Sequence, residues 1–370
     1  MPVDLFGNIK CEIMIEELNR LYEEGLLHKQ FHPKYPLIIW NYSPRVQYEK
    51  LWTQLLMGCR GLVTDFDGNV VARPFSKFFN YEELTAEQIP NEYFDVYEKM
   101  DGSLGVLFNY NGEWILATRG SFTSEQSIKG RQLLEKYDYN RLNPNYTYLF
   151  EIIYPENRIV CSYDFEDLIL LGMIHTETGD EVNIHCTDNE DIRFKNLLNN
   201  LGFKIVTLYK TWGEGFDMLK NEISKDKEGY VIRFKNGFRM KIKGDEYVRL
   251  HKIMTNLSTT GVWEILSTGG KMEDYLKDVP DELYKKVKMY VQSLNYGHYQ
   301  YSEYAGKMHD YFRYGKYNDN EKEYTKKEFA EHLERNNVHP KVKSICFAMW
   351  DRKPYDHIIW KHLKPKFEKL

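Results

Sequence analysis

The sequence predicts an α+β protein in two parts, a domain built mainly of antiparallel strands and then a mostly α-helical one. Three observations point there. Between about Pro36 and Tyr247 short apolar runs alternate with Gly, Asn, Asp and Pro turns. Two of those turns are Asn-Gly pairs set between strand-like runs, a strong short-range hairpin signal. After about Thr255 the strand signals fade and helical periodicity takes over. The expected boundary falls near residue 250, giving domains 1–250 and 251–370.

The elements follow in order. Met14, Leu18 and Leu21 share one face of a helix expected over Cys11–Leu27. Leu104–Asn109 and Trp114–Thr118 flank Asn111-Gly112, and Val231–Lys235 and Phe238–Lys243 flank Asn236-Gly237 in the same way. Tyr146–Tyr154 and Leu168–Ile174 read as buried strands, with helices over Ser124–Tyr137 and Asp191–Leu201 before and after them. In the second domain Leu276–Leu294, Glu321–Arg335 and Val342–Trp350 read as helices with charged outer faces.

Bulk properties exclude several classes. Charged residues make up 28% of 370 and hydrophobic ones 42%, an ordinary balance for a soluble domain pair. A net charge of −5 rules out a coat of basic residues but leaves room for a local basic groove. Cys11, Cys59, Cys161, Cys186 and Cys346 form no CxxC pair, which fits a reducing compartment and speaks against structural zinc. Met1-Pro2-Val3-Asp4 begins no signal peptide and no apolar run reaches membrane-spanning length, so a cytoplasmic protein without membrane contact is expected. The 29 Tyr and 20 Phe fill helical cores or stack on nucleobases.

The chemistry concentrates around Lys99-Met100-Asp101-Gly102-Ser103. A lysine amine is a good nucleophile once it loses its proton, glycine admits close approach of a ligand, and Asp and Ser add hydrogen-bonding groups. By themselves these five residues also describe a solvated lysine beside a turn. Lys241 and Lys243 lie two apart in a strand, so both ammoniums point to one face while Met240 and Ile242 point to the other. Such a pair calls for an anion between them, a phosphate for instance, unless the face is simply solvated. Glu228-Gly229-Tyr230 opens the preceding strand. Glu151 sits in the apolar run Tyr148–Ile153, where a carboxylate is costly unless paired, metal-bound or turned outward by alternation. Arg60, Lys77, Arg119 and Gly120 add cations and a further turn.

The order of these elements carries a resemblance. Lys99-Met-Asp-Gly-Ser, Phe150-Glu-Ile-Ile, Leu170-Leu-Gly-Met-Ile, Glu228-Gly-Tyr-Val and Met240-Lys-Ile-Lys resemble motifs I, III, IIIa, IV and V of the covalent nucleotidyltransferases, the superfamily of DNA ligases, RNA ligases and capping enzymes. Cys59-Arg-Gly-Leu-Val, Pro74-Phe-Ser-Lys-Phe-Phe-Asn, Gly120-Ser-Phe-Thr-Ser-Glu-Gln, Pro155-Glu-Asn-Arg-Ile-Val and Tyr247-Val-Arg-Leu-His are similar to the single-strand RNA ligase of T-even bacteriophages. The likeness covers roughly residues 35 to 255 and implies an antiparallel-sheet nucleotidyltransferase (ATP-grasp-like ligase) domain.

The resemblance implies an ATP-dependent RNA ligase that joins 5′-phosphate and 3′-hydroxyl ends through lysyl-AMP and adenylylated RNA. It makes Lys99 the nucleophile, with Lys241 and Lys243 catalytic beside it. Arg60 and Lys77 would hold the triphosphate, Asp101, Gly102, Arg119 and Gly120 would help seat the nucleotide, Glu151 would engage the ribose or organise the metal site, and Glu228 would bind Mg²⁺ or Mn²⁺. Met173 either packs on adenine or is a core residue. Neighbouring cations such as Lys241, Lys243 and a bound Mg²⁺ are expected to favour the neutral form of Lys99. A monomer acting on single-stranded or broken tRNA-like RNA is expected, with the second domain serving substrate specificity. The other readings are a DNA ligase, a GTP-using capping enzyme, or an inactive RNA-binding homologue. From Lys341 to the end, eight Lys or Arg face three acidic residues. That run either meets RNA, with Tyr355 or Trp360 stacking on bases, or docks Ile358, Ile359 and Trp360 into the core.

Overall fold

A computed structural model describes residues 11–185, 191–209, 215–256, 258–272, 281–315 and 325–368. The opening tetrapeptide and Cys186 lie outside the described residues, as do parts of the helices expected over Leu276–Leu294 and Glu321–Arg335. The chain divides into two compact units, Met1–Val248 and Arg249–Leu370.

In the first unit helix α1 (Cys11–Glu23) stops where Gly25 takes a left-handed φ of 72°, so Leu27 opens a strand rather than closing the helix. Strands β1 (Leu27–Phe31), β2 (Leu37–Tyr42), β3 (Arg60–Asp65) and β4 (Val70–Ala72) form an antiparallel sheet in that order. Next come the short β5 (Phe79–Asn80) and then β6 (Phe94–Lys99), β7 (Ser103–Tyr110) and β8 (Glu113–Thr118). The β7–β8 turn has positive φ at both Asn111 (53°) and Gly112 (84°), as a two-residue hairpin turn requires. Helix α2 (Glu125–Leu134) starts where the Ser124 hydroxyl accepts from the Ser127 N–H. Strands β9 (Tyr146–Ile153), β10 (Asp167–His175) and β11 (Glu181–Val182) follow, then helix α3 (Ile192–Asn200) and strands β12 (Lys204–Ile205) and β13 (Leu208–Tyr209). Helix α4 (Phe216–Asn221) and strands β14 (Gly229–Phe234) and β15 (Arg239–Lys243) complete the series, and helix α5 (Asp245–Asn256) runs from this unit into the next.

The six-stranded sheet runs β11-β10-β9-β7-β8, with β12 parallel to β10, and a five-stranded sheet runs β13-β6-β14-β15-β5. The β14–β15 connection differs from the expected two-residue turn. It is longer, only Gly237 has positive φ (86°), and Asn236 Oδ1 accepts from the Phe238 N–H instead, so β15 begins at Arg239.

Alternation sorts the core. On the six-stranded sheet Tyr148, Phe150, Ile152, Leu168 and Leu170 pack under α2 and α3 with Leu133 and Leu198. Val106, Phe108 and Leu149 face Leu37, Ile39 and Val63 of the first sheet. Val96, Ile232, Met240 and Ile242 of the five-stranded sheet pack on Leu219 of α4. Glu181 ties these two larger sheets together, accepting from Arg239 and from Arg233 Nε (3.3 Å), while Arg239 lies 4.4 Å over the Phe75 ring.

The second unit is helical among its described residues. It contains α6 (Thr259–Ser267), α7 (Asp281–Asp310), α8 (Lys326–Arg335), α9 (Pro340–Trp350) and α10 (Asp356–Leu363) around Ala305, Phe312, Phe329, Leu333, Ile345 and Ile359. Trp360 is 8% exposed, its carbonyl accepts from Trp263 Nε1 at 2.8 Å, and its ring lies 4.8 Å from that of His298. It is therefore packed into the unit and presents no free face for a base. Tyr355 also packs against this core. No helix among the described residues is long and apolar enough to cross a membrane.

Candidate active site

The site begins with the registers of three strands. Gly229 of β14 pairs with Lys99 of β6 on one side and Lys243 of β15 on the other. Side chains level with one another across a sheet share a face, so Lys99 and Lys243 are brought together. Lys241 lies on the same face two residues on, while Met240 and Ile242 are buried on the opposite one. Glu228 precedes Gly229 and reaches between the lysines: Oε2 is 2.8 Å from Lys99 Nζ and Oε1 is 2.8 Å from Lys243 Nζ. Glu228 thus bridges Lys243 to Lys99, and it does not supply the anion expected between Lys241 and Lys243. Gly229 makes the crossing possible. Its φ is 147°, and a Cβ there would stand 2.0 Å from the Ile242 carbonyl oxygen.

From the six-stranded sheet comes Glu151, whose Oε1 accepts from the Gly102 N–H at 2.9 Å. Gly102 is required by the same approach, since a Cβ would lie 2.7 Å from the Ile152 carbonyl oxygen. From the first sheet comes Arg60. The next residue, Gly61, has φ 99° and would place a Cβ 3.2 Å from the Arg119 backbone, so Arg60 and Arg119 are neighbours. Lys77 lies 4.7 Å over the Phe79 ring, and Lys241 is 5.8 Å over that of Phe78. Gly120 is exposed beside Asn41.

Charge is unbalanced here. Lys99 and Lys243 share Glu228, but Arg60, Lys77, Arg119 and Lys241 have no ion-pair partner among the described residues. Burial, then Lys77, Lys99, Lys243 and Arg60, pulls the Lys241 ammonium down to about 7. Burial also lowers Lys77, reinforced by Arg60, Arg119 and Lys243. Lys99 departs from expectation. Burial alone would lower it, but Glu228, Glu151 and Asp101 outweigh burial and hold it above the usual lysine range. Lys241 and Lys243, two of the cations expected to favour a neutral Lys99, are outweighed by a carboxylate in contact with it. Burial pushes Glu151 up to about 7 against the pull of Lys99, with Glu228 adding to the rise. Burial would raise Glu228 as well, yet Lys99 and Lys243 hold it below the ordinary carboxylate range.

Asp101 departs from its expected ligand contact, and Met173 takes the core position of its two readings. Asp101 Oδ2 accepts from the N–H groups of Val160 and Cys161 (both 2.8 Å), and Oδ1 accepts from the Tyr247 hydroxyl (2.7 Å). Its carboxylate is spent on anchoring the Lys99 loop. Met173 is fully buried among Tyr148, Leu170 and Leu198. The register slips between Leu170 and Gly172, which turns Met173 away from the face that Ile169 and Leu171 share with Ile153 beneath the Lys99 loop. Met173→Ala should therefore cost about 2–5 kcal/mol in a denaturant melt and leave nucleotide affinity unchanged.

Three contributors went unnoticed in the sequence. Tyr163 accepts from the Asp101 N–H at 2.9 Å. Asn41, opposite Arg60 on β2, and Asn80, opposite Lys241 on β5, each bury a side-chain oxygen with no hydrogen-bond partner among the described residues. Their only sequence signal is adjacency to strands that carry cations. Together the residues suit a nucleotide: an amine, a surplus of cations for phosphates, and two carboxylates. No described cluster of three or more His, Cys, Asp or Glu could hold a metal by itself. A Mg²⁺ that keeps several waters and phosphate oxygens needs only one or two carboxylates, and Glu151 and Glu228 are the two carboxylates that could hold it here.

Known proteins are similar in the same region. A family profile described as RNA ligase matches residues 58–247. A protein of Autographa californica nuclear polyhedrosis virus named for polynucleotide kinase and RNA ligase functions is 30% identical over 65% of this chain and 37% of its own length. An RNA ligase of Rhodothermus phage RM378 is 24% identical over 75% of this chain and 76% of its own. Of the solved structures, an archaeal ATP-dependent RNA ligase is similar with a TM-score of 0.48 and 14% identity, covering 75% of each chain. The chain thus spans little more than a third of the viral relative's length.

Proposed function

The chain belongs to the RNA ligase family, and on that premise we propose that it joins a 5′-phosphate to a 3′-hydroxyl of RNA, using ATP and carrying AMP on Lys99. The observation that carries this reading is the surplus of charge. Four cations without an ion-pair partner among the described residues, Arg60, Lys77, Arg119 and Lys241, accompany a lysine whose partner, Glu228, is a carboxylate of the metal-binding kind. Positioning and charge neutralisation supply most of the catalysis in nucleotidyl transfer.

In the first step the Lys99 amine, after losing a proton, forms a P–N bond to the α-phosphorus of ATP. The P–O bond to the β-phosphate breaks and pyrophosphate leaves. Arg60, Lys77 and Lys241 face the charge on the phosphates, and Lys243 keeps Glu228 company as Lys99 turns to its target. In the second step an oxygen of the RNA 5′-phosphate attacks the same phosphorus, the P–N bond breaks and the amine takes back a proton. In the third the 3′-hydroxyl attacks the activated 5′-phosphorus, and AMP leaves as the proton of the hydroxyl is released. A Mg²⁺ held by Glu228 and Glu151 would neutralise phosphate charge when bound. The helical unit is proposed to contribute to the choice of RNA.

Incubation with α-labelled ATP or GTP and a denaturing gel tests the reading directly. Label from ATP is expected; label from GTP alone would sink it. Ligation of a broken tRNA, an unstructured oligonucleotide and a duplex nick then ranks substrates.

Lys241 gives a separate expectation. Its ammonium lies near 7 in the folded protein against about 10.4 in an unfolded chain. The unfolded chain binds more protons between those values, so this group's penalty on stability is relieved as pH rises through the window. A triphosphate beside it reverses the shift. At about pH 8 ATP binding should take up close to one proton, read by calorimetry in buffers of different ionisation enthalpy, and Lys241→Gln should remove the uptake.

A further inference from the structure

We propose that Tyr163 is a positioning residue that aims Lys99 by holding the backbone of the link behind it, an inference that rests on the ligase reading of the site. Lys99 ends β6 in the five-stranded sheet, and Ser103 begins β7 in the six-stranded one. Only Met100, Asp101 and Gly102 join them, and this link belongs to neither ladder. Its N–H groups must find partners elsewhere. The Gly102 N–H donates to Glu151, and the Asp101 N–H donates to the Tyr163 hydroxyl at 2.9 Å. No other acceptor for the Asp101 N–H occurs among the described residues.

The Tyr163 ring is fixed by its surroundings. It packs with Met100, Ile153, Ile169 and Val206 and lies 5.4 Å from the Phe165 ring. The Asp101 side chain meanwhile binds the Val160 and Cys161 N–H groups at the head of the same loop. The segment from Val160 to Tyr163 thus grips Asp101 through both its backbone and its carboxylate. Lys99 is two residues away at the end of a strand, so a tilt of the link re-aims Nζ. A displacement near 1 Å at the reacting atom can lower a rate by about a hundredfold.

Tyr163→Phe removes the hydroxyl and keeps the ring. With α-labelled ATP in excess over enzyme, the maximal rate of lysyl-nucleotide formation should fall about tenfold or more. The ATP concentration at half-maximal rate should stay within about twofold, because the residue touches no phosphate. Phe165→Leu is the companion variant. It loosens the same packing while sparing the hydroxyl, so it should lower the melting temperature and keep the rate. A Tyr163→Phe rate equal to wild type would overturn the role, as would a Phe165→Leu rate reduced equally. An unlabelled wild type would overturn the ligase reading and this role with it; a labelled wild type matched by Tyr163→Phe overturns this role alone.

Discussion

Lys99→Ala is expected to lower labelling by α-labelled ATP about 10⁴-fold or more, to below detection on a denaturing gel. No other described lysine is bonded to Glu228 except Lys243, which pairs with Gly229 one strand further from the Lys99 link. The variant should fold. Glu228 retains Lys243 at 2.8 Å, so its carboxylate stays paired, and the loss of one of two charge-assisted bonds costs about 1–3 kcal/mol. The same protein separates the steps of the proposed reaction. In the last step the amine makes no bond, so Lys99→Ala supplied with RNA already adenylylated at its 5′ end should still seal it. Labelling that persists in Lys99→Ala would show that another group carries the nucleotide.

Much of this site is legible in the sequence alone. Alternation placed Lys241 and Lys243 on one face with Met240 and Ile242 behind them, and the register brings Glu228 to Lys243 and to Lys99. The first of these needs only the two-residue repeat of a strand, which is local. What stayed open was non-local. Met173 follows a one-residue slip opposite Phe150 and Leu149, and nothing in the run Leu170-Leu-Gly-Met-Ile marks which side the slip favours. A Cβ on Gly172 would stand 2.4 Å from the Phe75 ring, so the glycine is there for a neighbour distant in sequence.

Asp101 shows a second limit. Its type and position suggest a ligand contact, whereas its partners are backbone groups nearly sixty residues away and a hydroxyl from α5. Residue identity says that a carboxylate needs hydrogen bonds and leaves open which groups make them. The reversal at Lys99 has the same origin. Counting cations in sequence favours a neutral amine, but a single carboxylate in contact at 2.8 Å outweighs them.

Glu228→Ala should be the most destabilising of the charge substitutions. Glu228 is 3% exposed and bridges two ammoniums that are themselves largely covered. Removing one side of a buried pair leaves the other uncompensated, a loss of about 3–5 kcal/mol, and here two cations are stranded at once. The pH dependence identifies the cause. Glu228 is held below its ordinary value in the folded protein, so its contribution is present above the unfolded carboxylate range of about 4.3 and is lost as pH falls through the lower folded value. Lys99 is held above its ordinary value, so its share is present below about 10.4 and is lost at higher pH. The stability difference between wild type and Glu228→Ala, followed by urea melts, should therefore be widest between those limits and shrink toward both. A difference that is flat across the acid limb would mean that the loss comes from packing around Gly229 rather than from the two ion pairs. Lysyl-nucleotide formation should fall with it even where the variant is fully folded, because the same carboxylate is proposed to serve the metal and to hold Lys99 in place.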